Sequence, residues 1–187
     1  MDALYAERRT ARSYKEGDEV VDEKRSLNVV DGSREDPGFS RRKALLARIR
    51  EALERLPDRN GRLRSVVRIL SEGIRKYTWT GIYLLEGEML VLHNQIGLPT
   101  PHERIPLDQG ICGLAVRERK TVVVPDVGKD SRYLSCSPKT HSEIVVPIFR
   151  GSTVAGEIDV DSDLPDAFDD EDRRLLEEAA RMVSEIL

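Results

Sequence analysis

The hydrophobic positions divide the chain into two parts of different character. Residues 1–39 are polar and mixed in charge, with few large apolar side chains. Such a composition is typical of segments that cannot bury enough surface to fold by themselves. From residue 40 onwards, apolar residues recur at regular intervals. We therefore predict a flexible polar leader over residues 1–39 and one folded domain over residues 40–187.

Apolar residues at helical spacing mark both ends of the predicted domain. The first helix is predicted to begin with Ser40 as its N-cap and to end near Leu56. A second amphipathic helix follows the break at residues 57–61 and carries apolar residues up to Ile74. Asp169 is predicted to cap a last helix, whose acidic first turn complements the helix dipole. Apolar surface on these helices that the sheet does not cover would form a dimer seam.

Between these helices the pattern changes to the short apolar runs of β-strands. Two hairpins are predicted, at residues 79–95 and 142–161. Short strands are predicted at 104–106 and 121–125, with a helix at 114–119 between them. Adjacent hairpins favour an antiparallel sheet, so we predict an α+β fold with helices on the faces of that sheet.

Composition excludes several classes of function. The net charge of −4 provides no basic surface of the kind that nucleic-acid-binding proteins use. No apolar run approaches the ~20 residues of a transmembrane helix, and the N-terminus lacks the apolar core of a secretory signal. We therefore expect a cytoplasmic protein with neither nucleic acid nor membrane as a partner. In that compartment the two cysteines are expected to be thiols or a redox couple.

Two cysteines and the acidic segment that follows them are the candidates for chemistry. Cys136 lies in a polar loop, and Cys112 lies near a predicted helix start, where the helix dipole favours a thiolate. Asp159 and Asp161 share one face of a predicted strand, because side chains alternate along it. The residues alone leave either thiol as a candidate nucleophile, beside carboxyl groups that would raise one another's pKa if they converge.

Each candidate also has a purely structural interpretation. Cys112 could be a small buried residue in a turn, and Trp79 and Tyr83 could be ordinary core aromatics. Glu143 could pair with Arg104 or cap a loop, and Asp159 and Asp161 could be solvent-facing strand residues.

Six segments of the chain resemble the GAF domain, over about residues 42–187. They are WTGIYLL (79–85), RIPLDQGICG (104–113), VVVPDV (122–127), SEIVVPI (142–148), GEIDVDS (156–162) and FDDEDRRLLEEAA (168–180). The resemblance implies a six-stranded antiparallel sheet with a pocket on one face. It also implies that the terminal helices pack together and form a homodimer.

The chain resembles one catalytic branch of that family more closely, the free methionine-R-sulfoxide reductases. Those enzymes carry a cysteine in a G-x-C-G turn, a second cysteine 24 positions later and a glutamate seven beyond, a spacing that Cys112, Cys136 and Glu143 match. The resemblance implies that Cys136 is the nucleophile and that Cys112 resolves the oxidised enzyme. It assigns the binding of a small-molecule substrate to Trp79, Tyr83, Glu143, Asp159 and Asp161.

The same resemblance implies no bound cofactor and a thioredoxin-type thiol reductant as a partner. Many members have a third cysteine ten residues before the G-x-C-G cysteine, where this chain has His102. One alternative function is a non-catalytic GAF module that senses a small molecule and passes on a signal. Another is a redox switch in which Cys112 and Cys136 form a disulfide without any substrate.

Overall fold

Four α-helices and six β-strands make up the part of the chain that the computed structural model describes, residues 37–135 and 137–187. In chain order they are α1 (Pro37–Arg55), α2 (Arg59–Gly73), β1 (Trp79–Glu86), β2 (Met89–Ile96), β3 (Arg104–Pro106), α3 (Gly110–Glu118), β4 (Val122–Val124), β5 (Ser142–Arg150), β6 (Thr153–Ser162) and α4 (Asp170–Ser184). The loop between β4 and β5 contains one short 3₁₀ turn, Val127–Lys129.

The strands form a single sheet in the order β3-β2-β1-β6-β5-β4, and all neighbouring pairs are antiparallel. The two predicted hairpins, β1–β2 and β5–β6, lie side by side because β1 pairs with β6. The predicted α+β fold with a central antiparallel sheet is confirmed.

The alternation of side chains along each strand creates two separate apolar cores. On one face of the sheet, Ile82, Ile144 and Ile158 pack with residues of α1, α2 and α4. On the opposite face, Tyr83 and Val145 pack with residues of α3. Consecutive residues of one strand therefore contribute to different cores.

The two terminal helices pack on each other, as predicted. Leu45 and Ile49 of α1 and Leu176 and Ala179 of α4 belong to the same core. Among the described residues of these two helices, Phe39 is the one large apolar side chain that remains exposed. Homodimer formation through these helices stays a prediction.

Two helices begin earlier than predicted. The helix α1 begins at Pro37, so Ser40 lies inside the helix and does not cap it. The helix α3 begins at Gly110, four residues before Leu114. Gly110 permits this start because it adopts a φ of 67°, which glycine tolerates without steric cost. Cys112 consequently lies in the first turn of α3.

Aspartates cap two helices, α2 before the first strand and α4 after the last strand. Asp58 precedes α2 within the predicted break, and its side chain accepts a hydrogen bond of 2.7 Å from the backbone amide of Gly61. Asp169 caps α4, as predicted, and accepts from the amides of Glu171 and Asp172. Because Asp172 accepts from the Asp169 amide in return, the two residues form a capping box.

Two sequence predictions concern residues outside the range that the structure describes, namely residues 1–36 and Cys136. The flexible leader and the role of Cys136 therefore stay predictions. Residues 37–39 of the predicted leader form the start of α1. Within the described residues, no helix combines the length and apolar character that crossing a bilayer requires.

Candidate functional site

Strand β6 carries three carboxylates on the face that α3 covers. Glu157, Asp159 and Asp161 occupy alternate positions, and their exposed fractions are 0%, 1% and 2%. Ile158 and Val160 between them belong to the opposite core. The alternative that the two aspartates face solvent is therefore wrong. Burying carboxylates costs much more free energy than burying the apolar residues usual at such positions.

Strand pairing adds a fourth carboxylate to the same face. Glu143 on β5 lies directly opposite Asp161 on β6, and its exposed fraction is 3%. On the other side of β6, Trp79 is the partner of Asp161, and Gly81 is the partner of Asp159. The carboxylates therefore converge at the centre of the sheet, because β6 and β5 are neighbouring inner strands.

Cys112 approaches this acidic group from α3. Its thiol donates toward Asp159 Oδ2 at a distance of 3.6 Å, and Sγ lies 3.9 Å from Glu143 Oε1. Gly113 permits the close seating of the first helical turn, since a Cβ atom there would lie 2.4 Å from the Leu107 carbonyl oxygen. The side chain of Cys112 is itself buried.

The carboxylates have almost no compensating partners among the described residues. No basic side chain in that part of the chain forms an ion pair with any of them. Both oxygens of Glu157, Oε2 of Glu143 and Oδ1 of Asp159 are buried without a hydrogen-bond partner. Asp161 is better satisfied, because the Thr140 hydroxyl donates to its Oδ2 at 3.2 Å.

Burial raises the pKa of every carboxyl group in the cluster. The pKa of Glu157 rises to about 8, and the nearby Cys112 thiol opposes this rise to a lesser extent. The pKa of Asp161 rises to about 7, and the Thr140 hydroxyl opposes that rise. The pKa values of Glu143 and Asp159 lie well above their ordinary range, first because of burial and then because of repulsion from the neighbouring carboxylates.

Two aromatic side chains lie beside the cluster and belong to the core beneath α3. The rings of Trp79 and Tyr83 are 6.4 Å apart between centroids and tilted by 31°. Trp79 Nε1 donates to the Leu98 carbonyl at 3.0 Å, and the Tyr83 hydroxyl donates to the His102 carbonyl at 2.9 Å. Both polar atoms hold the loop between β2 and β3, so the rings are fixed in orientation.

The glycine between these aromatics, Gly81, leaves room for one of their rings. A Cβ atom at Gly81 would lie 2.3 Å from the ring of Trp79. The indole of the same strand therefore fills that space.

The loop that contains Cys136 is attached to the site on both sides of that residue. Before it, the Ser135 carbonyl lies 3.1 Å from Nε2 of His102. After it, Thr140 bonds to Asp161. A cavity of about 230 Å³ lies between this loop, Trp79 and the β2–β3 loop, and its lining residues are Thr78, Trp79, Leu98, Ser137, Lys139, Thr140 and Asp163.

A larger open groove of about 910 Å³ lies elsewhere, along residues 123–132 and 165–166. None of the four buried carboxylates and neither of the two aromatics lines it. Its position gives it no part in the chemistry of the acidic cluster.

The sequence prediction omitted Glu157 from the site. The signal was present, because Glu157 has the same alternation as Asp159 and Asp161 in the segment GEIDVDS. Of the seven predicted site residues, the structure places six on the side of the sheet that α3 covers. They are Cys112 on α3 and, on the strands, Trp79, Tyr83, Glu143, Asp159 and Asp161. Cys136, the seventh, lies outside the described residues.

The cluster can perform acid–base chemistry next to a thiol. A carboxyl group whose pKa lies above neutrality is protonated at pH 7 and can donate a proton. A neighbouring carboxylate that remains ionised can bind a cationic group, and does so strongly because water is excluded. The Cys112 thiol contacts two carboxyl groups of this cluster and is thereby placed for redox chemistry on a small polar molecule.

The sequence of this chain is similar to a known domain family and to several of its members. Residues 58–187 match the sequence profile described as the GAF domain. GAF domain-containing protein A of Dictyostelium discoideum is 31% identical over 84% of this chain and 96% of its own length. Free methionine-R-sulfoxide reductase of Escherichia coli is 32% identical over 64% of this chain and 72% of its own length.

A solved structure extends the similarity to three dimensions. Free methionine-R-sulfoxide reductase of Neisseria meningitidis, in complex with its substrate, superimposes with a TM-score of 0.76. It is 31% identical, and the similarity covers 82% of this chain and 92% of that protein. The curled antiparallel sheet and its helices are therefore common to both proteins.

Proposed function

The chain belongs to the GAF domain family, and from that membership and its buried thiol–carboxylate cluster we propose that it reduces free methionine-R-sulfoxide to methionine. The proposal gives Cys136 the role of nucleophile and Cys112 the role of resolving thiol. A thioredoxin-type protein serves as the electron donor. The similar proteins named for this activity, one of them solved with its substrate, support the choice of reaction and ligand.

The observation that carries the proposal is the contact of Cys112 with two buried carboxyl groups. Its sulfur lies 3.6 Å from Asp159 and 3.9 Å from Glu143. A purely structural core would place apolar residues there, since each uncompensated carboxylate reduces stability. Such a costly arrangement is expected at a functional site, where stability is given up for chemistry.

The carboxylates suit a substrate with an ammonium group. None of the four has a basic partner within the described residues, so a cationic ligand would relieve the repulsion among them. Asp161, with a pKa of about 7, is partly ionised at neutral pH and can accept from that ammonium. The apolar faces of Trp79 and Tyr83 then form a wall for the methyl group on sulfur.

The first chemical step transfers oxygen from the substrate to the enzyme. The Cys136 thiolate attacks the sulfoxide sulfur while a neutral carboxyl group, for which Glu143 is our candidate, gives a proton to the sulfoxide oxygen. This attack forms a bond between the two sulfurs. The hydroxyl group then moves to the Cys136 sulfur while the sulfur–oxygen bond of the substrate and the new sulfur–sulfur bond both break, which leaves Cys136 as a sulfenic acid. Methionine leaves as the two-electron-reduced product.

The second step restores the thiols. The Cys112 thiol attacks the sulfenic acid of Cys136, so that a disulfide forms and the oxygen departs as water. A dithiol reductant then reduces this disulfide and is itself oxidised to a disulfide. No bound cofactor enters the cycle.

The position of the loop around Cys136 is consistent with these roles. Ser135 is held by His102, and Thr140 by Asp161. Leu134 packs next to Gly110 at the start of α3. The residues that flank Cys136 therefore lie near the helix that carries Cys112. Because His102 stands where many relatives have a third cysteine, Cys112 is the one other thiol of the chain available for resolution.

The test is steady-state reductant consumption with free methionine-R-sulfoxide, using thioredoxin and, separately, dithiothreitol. We expect turnover by the wild type and by Ser135→Ala, the matched loop control, and none by Cys136→Ser. We expect Glu143→Gln to lose about 100-fold in kcat, the usual contribution of a general acid. Absence of turnover by the wild type with both reductants would overturn the proposal.

A non-catalytic sensor is the second candidate, and the cavity of about 230 Å³ beside Trp79 favours it. Such a pocket can hold an amino-acid-sized ligand without any reaction. A sensor would show a ligand-induced rise in melting temperature, equal in wild type and Cys136→Ser, without reductant consumption.

A further inference from the structure

Three side chains between the first turn of α3 and the sheet have the arrangement of a metal site. The Cys112 sulfur, one oxygen of Glu143 and one oxygen of Asp159 all lie within 4.8 Å of one another. In tetrahedral zinc sites the Zn–S distance is about 2.3 Å and the Zn–O distance about 2.0–2.2 Å, which separates sulfur from oxygen by about 3.5 Å. The observed separations of 3.6 Å and 3.9 Å are close to that value.

A second observation points to a cationic ligand at the same place. Glu157 is fully buried on the same face of β6, two residues before Asp159, and neither of its oxygens has a hydrogen-bond partner. One oxygen each of Glu143 and Asp159 is also buried without a partner. Buried polar atoms are nearly always satisfied in native structures, so this group of four oxygens requires an explanation.

We propose that Cys112, Glu143 and Asp159 bind a zinc-like divalent cation, with Glu157 as the fourth ligand. The donor set selects the metal class, because thiolates favour zinc whereas calcium and magnesium take oxygen ligands only. Binding converts the thiol to a thiolate and releases protons from the carboxyl groups. Two positive charges then replace the protons that otherwise neutralise the cluster.

A metal ion bound at this site would block the second step of the proposed reaction. The metal would hold the sulfur of Cys112 in a bond to the cation, so the thiol could not resolve an oxidised Cys136. We therefore expect zinc to inhibit turnover by the thioredoxin route. This inhibition rests on the function proposed above, whereas metal binding by the four side chains does not.

The test uses the reduced full-length chain and Co²⁺ as a spectroscopic substitute for Zn²⁺, followed by displacement with Zn²⁺. We expect tetrahedral d–d absorption and a thiolate-to-cobalt charge-transfer band at one equivalent. Cys112→Ser should abolish the charge-transfer band, and Asp159→Asn, which is nearly isosteric, should weaken Zn²⁺ binding by more than about 100-fold. Cys136→Ser and the surface variant Asp126→Asn should bind as the wild type does.

Several results would overturn the inference. One is a cobalt complex without a charge-transfer band, and another is equal Zn²⁺ affinity in wild type and Asp159→Asn. Loss of binding in Cys136→Ser would also contradict it, since the ligand set would then be different. Because these readouts need no substrate, a chain that binds zinc without reducing sulfoxide would refute the proposed function alone.

Discussion

At the scale of single residues, Glu157 shows how burial changes the pKa of a carboxyl group. In the unfolded chain its carboxyl group ionises near pH 4.5, whereas burial raises the pKa in the folded chain to about 8. The folded chain therefore holds a proton that the unfolded chain releases. The stability that Glu157 contributes is complete below about pH 4.5 and is lost as the pH rises toward 8.

This difference in pKa predicts a specific effect of Glu157→Gln. In chelator-treated protein, the free energy of unfolding of the wild type should fall between pH 5 and pH 8, with Glu157 contributing up to about 1.4 kcal/mol per pH unit. Glutamine does not titrate, so the variant should show a shallower fall. Urea denaturation at several pH values measures both slopes, with the exposed Glu86→Gln as the control. Parallel slopes for wild type and Glu157→Gln would show that the carboxyl group does not titrate in this range.

Residue patterns also define what the sequence could reveal about the site. Alternation predicts that Asp159 and Asp161 share a face, because it depends on strand geometry alone. It does not predict that this face is buried, since burial depends on α3, which comes from a distant part of the chain. Glu157 was omitted from the predicted site for the same reason, because a glutamate on an exposed face of a strand is an ordinary surface residue.

At the scale of elements, the position of α3 determines the geometry of the site. The helix begins at Gly110, and its first turn rests on the chain at Leu107. This seating places Cys112 over the carboxylates of β5 and β6. The sequence predicted a later helix start, because Gly110 and Gly113 are poor helix formers. In the structure, Gly113 instead permits close packing of the first helical turn against Leu107.

We predict that Gly113→Ala destabilises the chain and displaces Cys112. Its Cβ atom would meet the Leu107 carbonyl at 2.4 Å, a backbone atom that cannot move aside cheaply. Overpacking of this kind costs about 1–3 kcal/mol. Gly128→Ala is the matched control, because its Cβ atom would approach only the Asp126 side chain, at 3.3 Å.

Chemical denaturation of the two alanine variants measures this difference. An unfolding free energy of Gly113→Ala equal to that of Gly128→Ala would mean that α3 shifts without cost. In that case the helix would not fix the distance between Cys112 and the carboxylates.

At the scale of the whole molecule, the sheet separates stability from chemistry. The face toward α1, α2 and α4 is lined by aliphatic residues such as Ile144, Ile158 and Val160. The opposite face contains the thiol, the aromatics and all four carboxylates. This division permits an unfavourable acidic cluster, because the apolar core behind the sheet supplies stabilising burial.

The overall architecture was predictable because its signals are local. Helical spacing, hairpin turns and the Asp169 capping box each involve residues a few positions apart. The order of strands across the sheet depends on pairing between β1 and β6, whose residues lie far apart in the chain, so local patterns did not predict it.

A single turnover without added reductant tests the proposed roles of Cys136 and Cys112 most directly. Reduced enzyme is mixed with excess free methionine-R-sulfoxide, methionine is quantified, and the thiols are mapped by peptide mass spectrometry. The two-cysteine cycle predicts about one methionine per chain and a disulfide between Cys112 and Cys136. In Cys112→Ser it predicts the same yield of methionine, with Cys136 left as sulfenic acid. Absence of methionine, or its formation with both thiols still reduced, would refute this cycle.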